Sequence, residues 1–305
     1  MHEEVKAFLS EVLVLDEPFK SVRGEDGRRF VRALVTDGGP GPAMASVKDI
    51  DLGSGCRARE FLPVDPPLGR IVWVDGLALH GGTIGDSDVF IKKVAERTGC
   101  SVLLTTITDP AETTLLDAGA LVASAFTLAS SRRDATQGVV PPILIGDGVG
   151  ATFCAAFSLS GPFRGLRPPH LQILIDPVIG TTPTESESQE LFVPSSWKDI
   201  VDWLGGGCSL VDLITPTGQG DVTQFPATLI LEAELTSLRS GTDTYVRSLR
   251  SAGAEVDLHI IEGNVMWFMR MLRLRSSERA FQRIVRSVRS HVLYGHIIAR
   301  TETSS

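Results

Sequence analysis

Apolar and polar positions follow two rhythms along the chain, and the switches between them mark out the elements. Residues 2–13 carry Val5, Phe8, Leu9, Val12 and Leu13 at the spacing of one helix face, and 28–35 repeat the pattern briefly. The breaker Asp37-Gly38-Gly39-Pro40-Gly41-Pro42 then ends that region. Beyond it, short apolar runs alternate with helical periodicity. Strands are predicted over 56–62, 70–75, 101–106, 142–146, 171–176, 227–232 and 256–261. Helices are predicted over 87–98, 114–131, 149–160, 196–204, 241–252 and 277–297, and Ser196 and Asp199 have capping-box spacing. A polar loop over 181–190 interrupts the series. Strands alternating with helices predict an α/β protein with a mostly parallel sheet covered on both faces. Residues 1–45 read as a helical lid, 46–300 as a core forming one structural domain with it, and 301–305 as a tail.

Composition narrows the function classes. With 305 residues, 43% of them hydrophobic, the chain can bury a sizeable core. A net charge of -8 argues against a nucleic-acid partner, which requires a basic surface. Arg279, Arg283, Arg286 and Arg289 fall opposite Phe281, Ile284 and Val288, and so read as the solvated face of an amphipathic helix. Cys56, Cys100, Cys154 and Cys208 form no C-x-x-C pair and have no histidine at ligand spacing; no metal is expected, and a reducing cytoplasm suits them. The acidic N-terminus lacks an apolar signal core, and no run of about 18 apolar residues argues for a membrane span.

The most informative stretch is Ile143-Leu144-Ile145-Gly146-Asp147-Gly148-Val149-Gly150-Ala151, which reads as strand, tight glycine turn and helix. It is related to the G-x-S-x-G elbow, whose middle residue carries an attacking serine, but here that position is Gly148. The same glycines also satisfy G-x-G-x-x-G/A, with Asp176 ending the next strand, so a dinucleotide-binding oxidoreductase is a further alternative. Against it stand the motif's position in mid-chain and an acidic residue lying beyond the usual ~20-residue distance.

Over roughly residues 50–295 the order of segments resembles the hormone-sensitive-lipase-like branch of the α/β-hydrolase fold. Trp73-Val74-Asp75-Gly76-Leu77-Ala78-Leu79-His80 resembles that branch's Y-F-H-G-G-G-W, and Gly146-Asp147-Gly148-Val149-Gly150 its G-D-S-A-G. Asp176-Pro177, Ala233-Glu234-Leu235-Thr236-Ser237-Leu238 and Gly263-Asn264-Val265-Met266-Trp267-Phe268 resemble its Y-P, A-E-L-D-P-L and G-m-x-H-G-F. The resemblance implies an α/β-hydrolase fold with an N-terminal helical lid, and pairing into a homodimer. Carried over position by position, it places the nucleophile on Gly148, the acid on Thr236, the base on Met266 and the oxyanion histidine on Asp75.

These replacements lead to an expectation of function. Without the triad, the chain reads as a cofactor-free, non-hydrolytic enzyme acting on a bulky apolar natural-product intermediate, polyketides included, by cyclisation, carbon–carbon bond formation, elimination or epimerisation. Asp75, His80 and Asp147 are the expected proton-moving groups, because carboxylates at strand ends beside an apolar pocket have perturbed pKa values. Gly76, Leu77, Gly148, Val149, Thr236, Met266 and Trp267 are the expected lining of a site for a small hydrophobic molecule. The alternative is a ligand-binding or regulatory pseudoesterase that keeps the pocket without chemistry.

Overall fold

The computed structural model describes residues 2–13, 28, 31, 39–53, 56–80, 82–108, 113–132, 141–160, 165–166, 168–179, 225–236 and 238–302. The predicted helix over 196–204 and the polar loop over 181–190 lie outside these residues, as does most of the helix expected over 28–35.

Eight strands of the described residues form one sheet: β1 (Ser46–Gly53), β2 (Cys56–Leu62), β3 (Arg70–Asp75), β4 (Ser101–Thr106), β5 (Ile143–Asp147), β6 (Leu171–Ile175), β7 (Ala227–Leu235) and β8 (Val256–Val265). Their spatial order is β1-β2-β4-β3-β5-β6-β7-β8. β2 pairs antiparallel with both β1 and β4, and every other pairing is parallel. Parallel neighbours need crossovers, which α2 (Asp88–Thr98), α3 (Leu115–Ser131), α4 (Val149–Ser160) and α5 (Arg239–Ser251) supply between successive strands. α1 (Glu3–Leu13) precedes the sheet and α6 (Arg275–Glu302) follows it.

The central strands β3, β5 and β6 are buried at every position, the mark of a sheet covered on both faces. Their side chains alternate between two cores. Ile71, Trp73, Ile143, Ile145 and Ile173 pack with Phe90 of α2 and Phe281 of α6, while Val72, Val74, Leu144 and Leu174 pack with α3, α4 and α5. Trp73 meets the Phe90 ring edge-on, with centroids 5.3 Å apart. α1 contributes Val5 and Phe8 to the second core, which also holds Met266 and Trp267, and His2 N–H donates to Gly263 C=O at 3.0 Å. The N-terminal helix thus lies against the C-terminal end of β8.

Candidate active site at the β5–α4 elbow

The site is set by how closely α4 approaches the sheet. Gly148 turns the chain from β5 into α4 with φ 59°, a left-handed conformation that favours glycine, and its N–H donates to Ile175 C=O at 2.9 Å. A Cβ on Gly148 would meet no atom within 4 Å, so the point of the elbow stands open. Below it there is no room. A Cβ on Gly150 would run into Val74 C=O, one on Gly146 into the Ala151 backbone, and one on Gly76 would come within 2.8 Å of Asp147 C=O. Of the positions read as a possible nucleotide fingerprint, Gly146 and Ala151 are taken up by the close approach of α4 to β5, and Gly148 by the left-handed turn.

Three loops frame the elbow. The first follows β3: Gly76 lies beside Val149 N, and Leu77 opens a 3-10 turn over Leu77–His80. The second is the elbow itself. The third follows β8, where Met266 and Trp267 are buried and Trp267 has φ 63°. Thr236 lies in the turn before α5, its hydroxyl accepting the Leu238 N–H at 3.3 Å. Of the expected lining residues, Leu77, Val149, Met266 and Trp267 share one apolar cluster with Val5 and Phe8 of α1. His80 closes the 3-10 turn; its side chain lies outside the described residues.

Asp75 and Asp147 come together in a way their spacing does not suggest. They are direct partners across the β3–β5 register and face the α2/α6 side of the sheet. Two carboxylates side by side on adjacent strands repel. Arg270, in the 3-10 turn over Phe268–Arg270, resolves this: its Nη2 donates to Asp75 Oδ2 at 2.7 Å and to Asp147 Oδ2 at 3.3 Å. Its Nη1 donates to Ser87 Oγ at 3.3 Å, and its guanidinium lies 4.4 Å from the Phe90 ring centroid. Asp75 is fully enclosed. Besides Arg270, it accepts the Leu77 N–H on Oδ1 at 2.7 Å and the Ser87 hydroxyl on Oδ2. Burial raises the Asp147 carboxyl to about 6, with Asp75 adding to the rise and Arg270 opposing it. Arg270 stays charged: burial disfavours its cation, but the two aspartates outweigh that and raise its pKa.

Asp176, beside the elbow, is a further buried carboxyl, held with φ 43°. It accepts the Ala233 N–H at 2.7 Å, and burial pushes its pKa well above the usual range. Sequence reasoning missed Arg270 altogether: it follows the apolar run Trp267-Phe268-Met269, and its partners lie 195 and 123 residues away. Among the described residues, no three His, Cys, Asp or Glu side chains are grouped to hold a metal ion, and no helix is long and apolar enough to cross a membrane.

The hyperthermophilic esterase from the archaeon Pyrobaculum calidifontis shares the fold, with a TM-score of 0.76 at 20% identity, over 95% of this chain and 98% of its own. A thermostable carboxylesterase from a metagenomic library gives 0.72 at 20% identity, over 88% and 97%. An esterase of the bacterial hormone-sensitive lipase family gives 0.73 at 18% identity, over 95% and 97%. A search of curated proteins finds no match to the sequence. The similar structures are esterases and lipases, which corrects the expectation of a non-hydrolytic cyclising, bond-forming, eliminating or epimerising enzyme, together with its regulatory and dinucleotide-binding alternatives. A family model described as alpha/beta hydrolase fold matches residues 71–270, more than half of the sequence, and the chain belongs to that family.

Proposed function

We propose that the elbow takes a carboxylic ester and hydrolyses it slowly with solvent water, without a covalent acyl-enzyme. The observation that carries this reading is Gly148 itself. It holds a left-handed elbow with open space above it, the geometry in which a nucleophile would be presented, yet it has no side chain to attack with. The remaining two triad positions, Thr236 and Met266, supply neither a carboxylate nor an imidazole. The Ser–His–acid set is then replaced outright, and the attacking oxygen must come from water. The similar esterases support the ester as the substrate class, and the buried apolar cluster of Leu77, Val149, Met266 and Trp267 supports an acyl group of hydrocarbon character.

Magnitudes set the expected rate. In serine proteases, loss of a triad leaves roughly 10³–10⁴-fold catalysis over water, from the oxyanion hole and binding. One hole donor is worth about 10²–10³. In this chain the Leu77 N–H, in the loop that would provide the second donor, is taken by Asp75 Oδ1, so the Val149 N–H is left to carry most of the stabilisation. Hydrolysis on the order of 10–10²-fold above the uncatalysed rate is expected. With p-nitrophenyl butyrate, product release should be saturable and linear from the first turnover, with no burst, and fluorophosphonate should not label the protein. A rate equal to that of the heat-denatured protein would refute the reading, and so would a stoichiometric burst.

A further inference from the structure

We infer that Arg270 is the positioning residue of the site, a single guanidinium that fixes the three loops framing the elbow relative to one another. Each loop contributes one anchor. Asp75 ends β3 and leads into the Leu77 loop, Asp147 ends β5 immediately before Gly148, and Arg270 itself belongs to the turn that follows Met266 and Trp267. Nη2 alone bridges the first two, at 2.7 and 3.3 Å, and Nη1 adds Ser87 at 3.3 Å, from the 3-10 turn that leads into α2. Hydrogen bonds to charged groups in a dry interior are strong, and breaking such a pair leaves a buried charge exposed to a low dielectric. The loops can move independently only at that cost.

The arrangement also decides what the Leu77 loop offers a ligand. Arg270 and Ser87 hold Asp75 Oδ2, which turns Oδ1 onto the Leu77 N–H and withdraws that donor from the elbow. The clamp therefore fixes the geometry of the site and keeps it a poor oxyanion hole. Two carboxylates share one cation, so the cluster is the place near the elbow where an extra proton is best accommodated. The groups facing Asp147 are Arg270 from the turn after β8, Asp75 from β3, and Asp176 at the end of β6. Protonating Asp147 relieves its desolvation and its repulsion with Asp75 while Asp75 keeps its bond to Arg270, so the elbow should be held more firmly against the Leu77 loop when Asp147 is protonated than when it is ionised.

Amide hydrogen exchange measures this without reference to turnover; only a parallel ester assay rests on the reading proposed above. In Arg270→Gln, segments 75–80 and 146–151 should lose at least tenfold of their protection while the central strand segment 102–106 keeps its own. Arg270→Lys, which retains the cation, should recover part of it. In the unmodified protein, protection of the same two segments, corrected for intrinsic exchange, should be greater at pH 5 than at pH 7, and Asp147→Asn should abolish that difference. Uniform loss across the sheet, no loss at all, or a pH response that persists in Asp147→Asn would overturn the inference. Failure of p-nitrophenyl butyrate turnover together with the expected exchange pattern would refute the ester reading alone. If turnover is present, Arg270→Lys should retain more of kcat/KM than Arg270→Gln, and equal losses in the two variants would count against a positioning role.

Discussion

At the scale of single residues, the elbow separates two reasons for glycine. Gly148 has a left-handed backbone but open surroundings, so an added methyl meets only conformational strain. Gly150 and Gly146 have no such freedom, because their methyls would strike the backbone of Val74 and Ala151, which cannot step aside as a flexible side chain can. Gly148→Ala should therefore cost about 1–2 kcal/mol. Gly150→Ala must prise α4 from β3 and should cost more, at or above the ~1–3 kcal/mol typical of overpacking. Urea unfolding of the two variants checks the order; equal costs would show that α4 is not pinned by contact at Gly150. Gly148→Ser should fold, since the space is there, and should still show no p-nitrophenyl ester burst, because neither Thr236 nor Met266 can activate the hydroxyl.

At the scale of elements, α1 is the most economical place to test how the site is covered. Among the described residues it is held by Val5 and Phe8 in the core beside Met266 and Trp267, the His2 N–H on Gly263 C=O, and the Arg273 guanidinium 5.4 Å from the centre of the Phe8 ring. Phe8→Ala removes most of that anchorage, a change worth about 3–5 kcal/mol in a well-packed core. Because the sheet does not depend on α1 for strand pairing, the loss should appear as local release. Trypsin should cut at Lys6 markedly faster than in the unmodified protein, with little change in Tm; a large fall in Tm would show α1 to be integral to the core. The elements differ in how readable they were. The buried strands and the helices between them were legible because apolar runs and helical periodicity alternate cleanly, and α4 matches its predicted span of 149–160. β1 was not, since Ser46–Gly53 carries Lys48, Asp49 and Asp51 on an edge strand whose half-exposed faces give little apolar rhythm. The elbow was legible from its local glycine spacing. The clamp beneath it was not, because nothing local marks Arg270 as the partner of two aspartates more than a hundred residues away.

At the scale of the whole molecule, the buried carboxyls set an unusual dependence of stability on pH. Burial raises Asp147 to about 6 and Glu232 to about 7, and it lifts Asp176 well above its ordinary value. Each ordinarily titrates near 4, so the folded chain holds protons that the unfolded chain releases over the window from about pH 4 to about 7. Stability contributed by a raised carboxyl is present at the acid end and is lost as pH rises through the folded value. His170 works in the opposite direction, since burial lowers its pKa and stability is recovered as pH rises from that lowered value up to 6.5. It is one half-buried group against three more deeply buried ones, and each tenfold change in proton affinity is worth on the order of 1 kcal/mol. The net charge of -8 adds self-repulsion at neutral pH that relaxes on acidification. The carboxylates whose pKa is lowered, Glu3, Asp49 and Asp117, are exposed and titrate below this window, so they do not offset the trend. Tm should thus be several degrees higher at pH 5 than at pH 8. Glu232→Gln and Asp147→Asn should each flatten the slope by keeping a neutral group where the native chain must ionise one. A Tm that is level or rises from pH 5 to 8 would show that these carboxyls are solvated or better paired than their burial implies, and the charge balance of the Arg270 clamp would need to be redrawn with them.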